Sequence, residues 1–301
     1  MLKNMKSLSR FHPGTVCVYL LCVLLPVMFG INPITAGIGL GTGMLFWLML
    51  EENARARSAA FYLLLPVVSG IINPVFNHNG VTVLFFLNGN PVTREAALNG
   101  AALGLVISAA LLWARCFTLL MDTDRLLCVT GALSPRLSLV LSMTLRYIPL
   151  LRRQAGKTRE AARAMGLMRE DNAPDRLRSG MTVFSGLVTW TLENGAVTAD
   201  SMTARGYGSG RRSRYRAFCW TRSDTAMTML SLGLLGLLAG ARMTGDIGFV
   251  WYPVYHGTAP TVFGIIGYAA YAALCLTGAA LESMERWFWQ RRLAQIPGEE
   301  R

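Results

Sequence analysis

Histidine is nearly absent from this chain, with three residues in 301. His12, His78 and His256 each lack another histidine, cysteine or carboxylate at ligand spacing, so a metal centre of ordinary pattern is excluded and each is expected to be structural. His78 lies in Asn77-His78-Asn79-Gly80, a turn-like run. Charge is scarce as well: 15% of residues are charged, with 17 Asp and Glu against 29 Lys and Arg. There is no Ser/His/Asp set, no His-Glu-x-x-His and no carboxylate pair inside an apolar run, which leaves an enzyme with little to work with. The six cysteines, Cys17, Cys22, Cys116, Cys128, Cys219 and Cys275, form no Cys-x-x-Cys pair and are read as free buried thiols.

Phosphate loops are missing too. Gly156-Lys157-Thr158 ends like one, but the glycine required five positions before Gly156 is Leu151, and the preceding run has helical period rather than strand character. Gly37-Ile38-Gly39-Leu40-Gly41-Thr42-Gly43 lacks the third glycine of a dinucleotide loop in either register. Its glycines instead stand four apart, as Gly37 and Gly41 or Gly39 and Gly43, the spacing that lets membrane helices approach closely.

What the chain does have is apolar length. Hydrophobic residues make up 52% of it and the mean hydropathy is +0.38. A span needs about 20 mostly apolar residues. Six runs qualify, at 14–31, 33–50, 58–76, 97–121, 225–242 and 260–281, the fifth being short and the weakest candidate. The run 126–151 is apolar but broken by Arg136 and Arg146, and is expected to be interfacial or packed on other helices. No small-x-small cleavage pattern follows 14–31, which reads as an anchor rather than a removed signal.

The net charge of +12 suits nucleic acid, but its distribution does not. With the N-terminus inside, every Lys and Arg except Arg94, Arg115 and Arg242 falls on the cytoplasmic side, most of them in 122–222. The expected organisation is a membrane region 1–121, a cytoplasmic or interfacial segment 122–222, and a membrane pair with a basic tail at 223–301. Both termini are cytoplasmic, and the chain meets membrane lipid but no nucleic acid.

Two helical patterns fill the central segment. The first runs from 137 to 168, with Leu137, Leu141, Leu145, Ile148 and Leu151 at helical spacing and Pro149 as a kink. Basic ridges, including Arg146 and Arg163, flank a seam of Ala155, Thr158, Ala162 and Met165, and Asp171-Asn172-Ala173-Pro174 is expected to end the helix. The second runs from 181 to 206 with a stripe of Phe184, Leu187, Val188, Thr191, Gly195, Ala199 and Met202. Arg205 stands in its last turn, where the helix dipole favours a cation by about 0.3–1 kcal/mol. Gly206 is a natural helix end, and Tyr207-Gly208 continues the break. Lipid attraction, about 1 kcal/mol per basic residue at a membrane surface, accounts for many of these charges. It does not account for an arginine at a glycine-terminated tip, which offers a rigid fork of donors to a protein partner.

At this point the residues resemble a known family. Thr189-Trp190-Thr191-Leu192-Glu193-Asn194 followed by Ala199-Asp200-Ser201-Met202-Thr203-Ala204-Arg205-Gly206-Tyr207-Gly208, with Arg211 and Arg212 behind, is similar to the second coupling motif of the transmembrane T component of energy-coupling factor (ECF) transporters, the CbiQ-like family. Phe11-His12-Pro13-Gly14-Thr15 resembles the family's N-terminal start, and Leu145-Arg146-Tyr147-Ile148-Pro149 its L-R-F-I-P element. Asn73-Pro74-Val75-Phe76-Asn77-His78-Asn79-Gly80-Val81-Thr82 and Gly89-Asn90-Pro91-Val92-Thr93-Arg94-Glu95 resemble a subgroup signature.

The resemblance implies an all-α integral membrane protein of about six transmembrane helices plus a cytoplasmic pair of long crossing coupling helices. It implies a bacterial-type scaffold in the plasma membrane, with no catalysis and no cofactor of its own. ATP is bound by two cytosolic ABC ATPase subunits, and vitamin or metal ion by a membrane-embedded S component. By match, Ala204-Arg205-Gly206 docks one ATPase, supported by Asp200, Met202, Tyr207, Arg146 and Pro149. Ala162-Arg163-Ala164-Met165-Gly166 docks the other, with Met165 where the commoner Ala-Arg-Gly form has arginine and Arg163 two residues away. The competing classes are a multi-pass enzyme acting on lipid and a membrane anchor for some other cytosolic partner.

Overall fold

The computed structural model describes residues 7–51, 56–87, 90–168, 172–210, 218–252, 256–257 and 261–294. Arg211, Arg212, Gly89, Asp171 and the end of the basic tail, all used in the sequence reading, lie outside the described residues. The chain divides into two compact units, Met1–Leu126 with Phe218–Arg301, and Leu127–Ala217. The first and last parts of the sequence thus pack together.

The first unit is built from α1 (Pro13–Met28), α2 (Pro33–Leu50), α3 (Ala56–Phe76) and α4 (Arg94–Leu120), then α8 (Arg222–Met243) and α9 (Val262–Ala294). Five of these are long and apolar enough to cross a membrane; α1, with 16 residues, is the shorter apolar helix. The fifth run, the weakest by apolar counting, becomes a 22-residue helix because Arg222 and the residues after it add a turn to α8, and the shortest of the six is α1. Local chemistry sets the starts. His12 and Asn32 cap α1 and α2 with their side chains, each with a proline in the first turn. Proline is suited there because its missing N–H has no helical partner to lose. Thr93 caps α4, and Thr221 with Asp224 forms a capping box on α8.

The core lies among α1, α2, α4 and α9. Tyr19, Phe46, Trp113 and Tyr271 are fully buried there. The Trp113 indole stacks on Phe46 at 5.7 Å and donates to the Gly39 carbonyl at 2.9 Å. Of the two glycine pairs, Gly39 and Gly43 make the close approach, and Gly37 and Gly41 face open space. A second pair escaped the sequence reading: Gly100 and Gly104 let α4 lie directly on α3, against Asn73, Ser69 and Pro66.

A hairpin of β1 (Val83–Leu87) and β2 (Asn90–Thr93) joins α3 to α4, with Leu87 opposite Asn90. The sequence reading held no strand. Val83-Leu84-Phe85-Phe86-Leu87 has no alternation, and a short apolar run is not assignable from period alone. Gly80, at φ +143°, makes the break after α3. The Glu95 carboxylate then accepts from the Thr82 hydroxyl at 2.6 Å, fastening the hairpin to the start of α4. Residue pairs of β3 (Phe249–Val250) and β4 (His256–Gly257) link α8 to α9.

Candidate functional site

The Leu127–Ala217 unit contains most of α5 (Thr123–Leu133) and all of α6 (Pro135–Ala164) and α7 (Ala173–Ala204). None of the three is among the candidate spans. α7 starts eight residues earlier than expected. Pro174 lies in its first turn, so Asn172-Ala173-Pro174 starts a helix rather than only ending one.

The helices run antiparallel. The Tyr147 hydroxyl meets the Thr198 hydroxyl at 3.0 Å, and Gly186 faces the Thr158 methyl. Ala162 and Ser179 are the two buried residues among the described residues of this unit. Small residues at the contact let helix axes come close. On α6, Ala155, Thr158 and Ala162 face inward as expected, but Met165 is 66% exposed. On α7 the covered side is Val183, Leu187, Thr191, Asn194, Thr198 and Met202, while Phe184, Val188, Gly195 and Ala199 are exposed. The stripe read from apolarity was rotated because small and polar residues make the contact. The large apolar ones, Leu177, Met181, Phe184, Val188 and Leu192, form an uncovered face.

The two C-termini have the same geometry. At the end of α6, Met165 is the cap and Gly166 follows at φ +69°. Leu167 N–H donates to the Ala162 carbonyl, and Gly166 N–H to that of Arg163. At the end of α7, Arg205 is the cap and Gly206 follows at φ +77°. Tyr207 N–H donates to the Met202 carbonyl, and Gly206 N–H to that of Thr203. Both are Schellman ends, whose left-handed position suits glycine because it has no Cβ to clash. Bond for bond, Ala162-Arg163-Ala164-Met165-Gly166 overlies Met202-Thr203-Ala204-Arg205-Gly206. Met165 is thus the geometric counterpart of Arg205, and Arg163 that of Thr203.

Arg205 is exposed, and no described residue pairs with its guanidinium. Tyr207 stands beside it, also exposed. The Asp200 carbonyl accepts from the Thr203 hydroxyl at 2.8 Å, and the Gly206 carbonyl from the Ser209 hydroxyl at 2.7 Å, so the turn is fastened on both sides. Arg146 and Pro149 are exposed on α6, away from either tip in sequence. The tips lie at opposite ends of the pair. Counting outward from Thr158 and Gly186 at about 1.5 Å per residue separates Met165 from Arg205 by roughly 40 Å along the axis. Among the described residues no group of three or more His, Cys, Asp or Glu is placed to hold a metal. What the arrangement offers is two rigid knobs facing apart, one cationic and one thioether.

Comparison with known proteins follows the same residues. The family model described as CbiQ, cobalt transport protein, matches residues 4–215. The energy-coupling factor transporter transmembrane protein EcfT of Streptococcus thermophilus is 32% identical over 103 residues, covering 33% of this chain and 39% of that protein. The EcfT of Exiguobacterium sibiricum is 34% identical over 104 residues, 34% of this chain and 39% of that protein. That of Bacillus subtilis is 30% identical over 104 residues, again 34% and 39%. The matched part spans about two fifths of the length of these relatives.

Proposed function

The chain belongs to the CbiQ family of cobalt transport proteins, and on that premise we propose that it is the transmembrane T component of an ECF-type importer. In this reading it joins two cytosolic ABC ATPases to a membrane S component that carries a vitamin or metal ion. It sits in the plasma membrane with both termini in the cytoplasm and hydrolyses nothing itself. ATP closes the ATPase pair, which displaces the two tips, and the antiparallel helices pass the movement on as a rigid body.

The observation that carries this reading is the pair of matching Schellman ends at opposite ends of one helix pair. A lipid-binding helix needs a basic face but no duplicated tip. Two like subunits around an axis call for two like knobs pointing apart. The uncovered stripe from Leu177 to Leu192 supports a further apolar partner, since exposed patches of this kind mark interaction surfaces.

The test is recovery of the chain from its own membranes in mild detergent. Two ATP-binding subunits and a small integral membrane protein are expected with it, and ATP hydrolysis by that complex but not by the chain alone. Recovery without any ATP-binding subunit, or turnover of a lipid by the isolated chain, would contradict the proposal.

A further inference from the structure

Both chain connections to the Leu127–Ala217 unit are held at one place in the membrane unit. Leu126 is the last residue before that segment and Phe218 the first after it. Next to Leu126, Arg125 is 8% exposed. Its Nη1 donates to the Leu120 carbonyl at the end of α4 at 3.1 Å, and its guanidinium carbon lies 6.0 Å from the Phe218 ring centre. Outgoing and returning chain therefore touch through a cation–π contact.

Six residues beyond Phe218, Asp224 is 1% exposed. Its Oδ2 accepts from the Thr221 N–H at 2.8 Å and from the Thr221 hydroxyl at 2.6 Å. Its Oδ1 accepts from the His12 N–H at 2.7 Å, across 212 residues of sequence. The His12 Nδ1 accepts from Gly14 N–H, capping α1, and its ring lies 5.0 Å from the Trp220 ring. Trp220 in turn donates to the Thr225 hydroxyl at 2.8 Å. A helix cap alone needs one carboxylate oxygen. The second oxygen of Asp224 instead fastens the returning chain to the start of α1. Hydrogen bonds to a buried ionised group are among the stronger ones available.

We propose that Asp224, with Arg125 and Phe218, is the fixed end of the lever: it positions the returning chain so that displacement of the tips reaches α1 and α8 instead of being absorbed between Phe218 and Asp224. This rests on the T-component reading above. Asp224 acts through His12 and Thr221, as a positioning residue.

The experiment compares uptake and ATP hydrolysis in vesicles carrying the whole complex with Asp224→Ala or the unchanged chain. The ATP-binding subunits are expected to be recovered as before and hydrolysis to stay within about twofold, while uptake per ATP falls by about threefold or more. Asp224→Glu, which keeps both acceptors, is expected to restore part of the loss. Uptake per ATP unchanged in Asp224→Ala, or uptake and hydrolysis falling in proportion, would overturn the proposal. If Asp224→Ala is not recovered folded, Phe218→Ala opens the other limb and is read by the same ratio. Failure of the unchanged chain to recover any ATP-binding subunit strikes the T-component reading instead.

Discussion

Replacing Arg205 by glutamate should remove the ATP-binding subunits from the complex while leaving the chain folded. Arg205 is exposed and pairs with no described residue, so its loss breaks nothing inside α7. The turn is made by backbone bonds and by Gly206, all of which stay. A glutamate at a helix C-terminus opposes the dipole, but that effect is only about 0.3–1 kcal/mol. Reversing a docked charge is another matter. Removing one partner of a buried, hydrogen-bonded charge pair costs about 2–5 kcal/mol, which corresponds to a loss of about 30-fold or more in recovery. Arg205→Lys keeps the charge without the planar fork and should fall between. If the tip were only a lipid anchor, the chain with its remaining basic residues would hold its partners equally well in all three forms. Quantified co-purification, with helicity measured alongside, distinguishes the cases. Met165 predicts an asymmetry. Its partner groove must accept an apolar thioether, which adapts to shape and needs no counter-charge.

The second large effect is expected in the membrane unit. A Cβ at Gly104 would lie 2.5 Å from the Pro66 Cα and 2.9 Å from the Ser69 Cβ. The first of these is backbone, so α3 itself has to move. Packing defects of this kind cost about 1–3 kcal/mol, occasionally more. α3 has little to spare, because its apolar length is almost wholly uncovered and its packing is on α4. Gly104→Val should therefore lower the thermal transition of the detergent-solubilised chain by several degrees, and α3 should be the first helix to become protease-sensitive. Gly37→Val and Gly41→Val are the controls. Nothing lies within 4 Å of a Cβ at either position, and valine is the better helix former by a few tenths of a kcal/mol. Equal losses at all three glycines would show that close packing is not the cause.

Much of the fold was legible because the relevant signals are local. Apolar length marked the five helices long enough to cross a membrane and the shorter α1, and Gly206 after Arg205 marked the end of α7. Other features depended on what faces what. Apolar count alone could not choose between Gly39/Gly43 and Gly37/Gly41; Tyr271, Val27 and Trp113 decide it from other helices. The covered side of α7 was misplaced because its large apolar residues are not the ones that meet α6. Pro174 is ambiguous by nature, since proline both follows one helix and opens the next. At the tips, the sequence placed Met165 opposite Arg205 by resemblance, and the two bonds around Gly166 and Gly206 give that pairing a geometric basis. Asp224 was missed, although Thr221-x-x-Asp224 carries a capping-box spacing that could have pointed to it. Its bond to His12 lies beyond any local pattern.

The central claim is that the two tips are docking knobs for separate ATP-binding subunits. A photo-reactive amino acid placed at position 165 or 205 of the chain, in complex in its own membrane, tests this directly. The account predicts that each position crosslinks to an ATP-binding subunit, and that labelling both in one chain yields a product carrying two of them, as tips about 40 Å apart require. Crosslinks from position 205 to lipid alone, or from both positions to a single subunit, would contradict it.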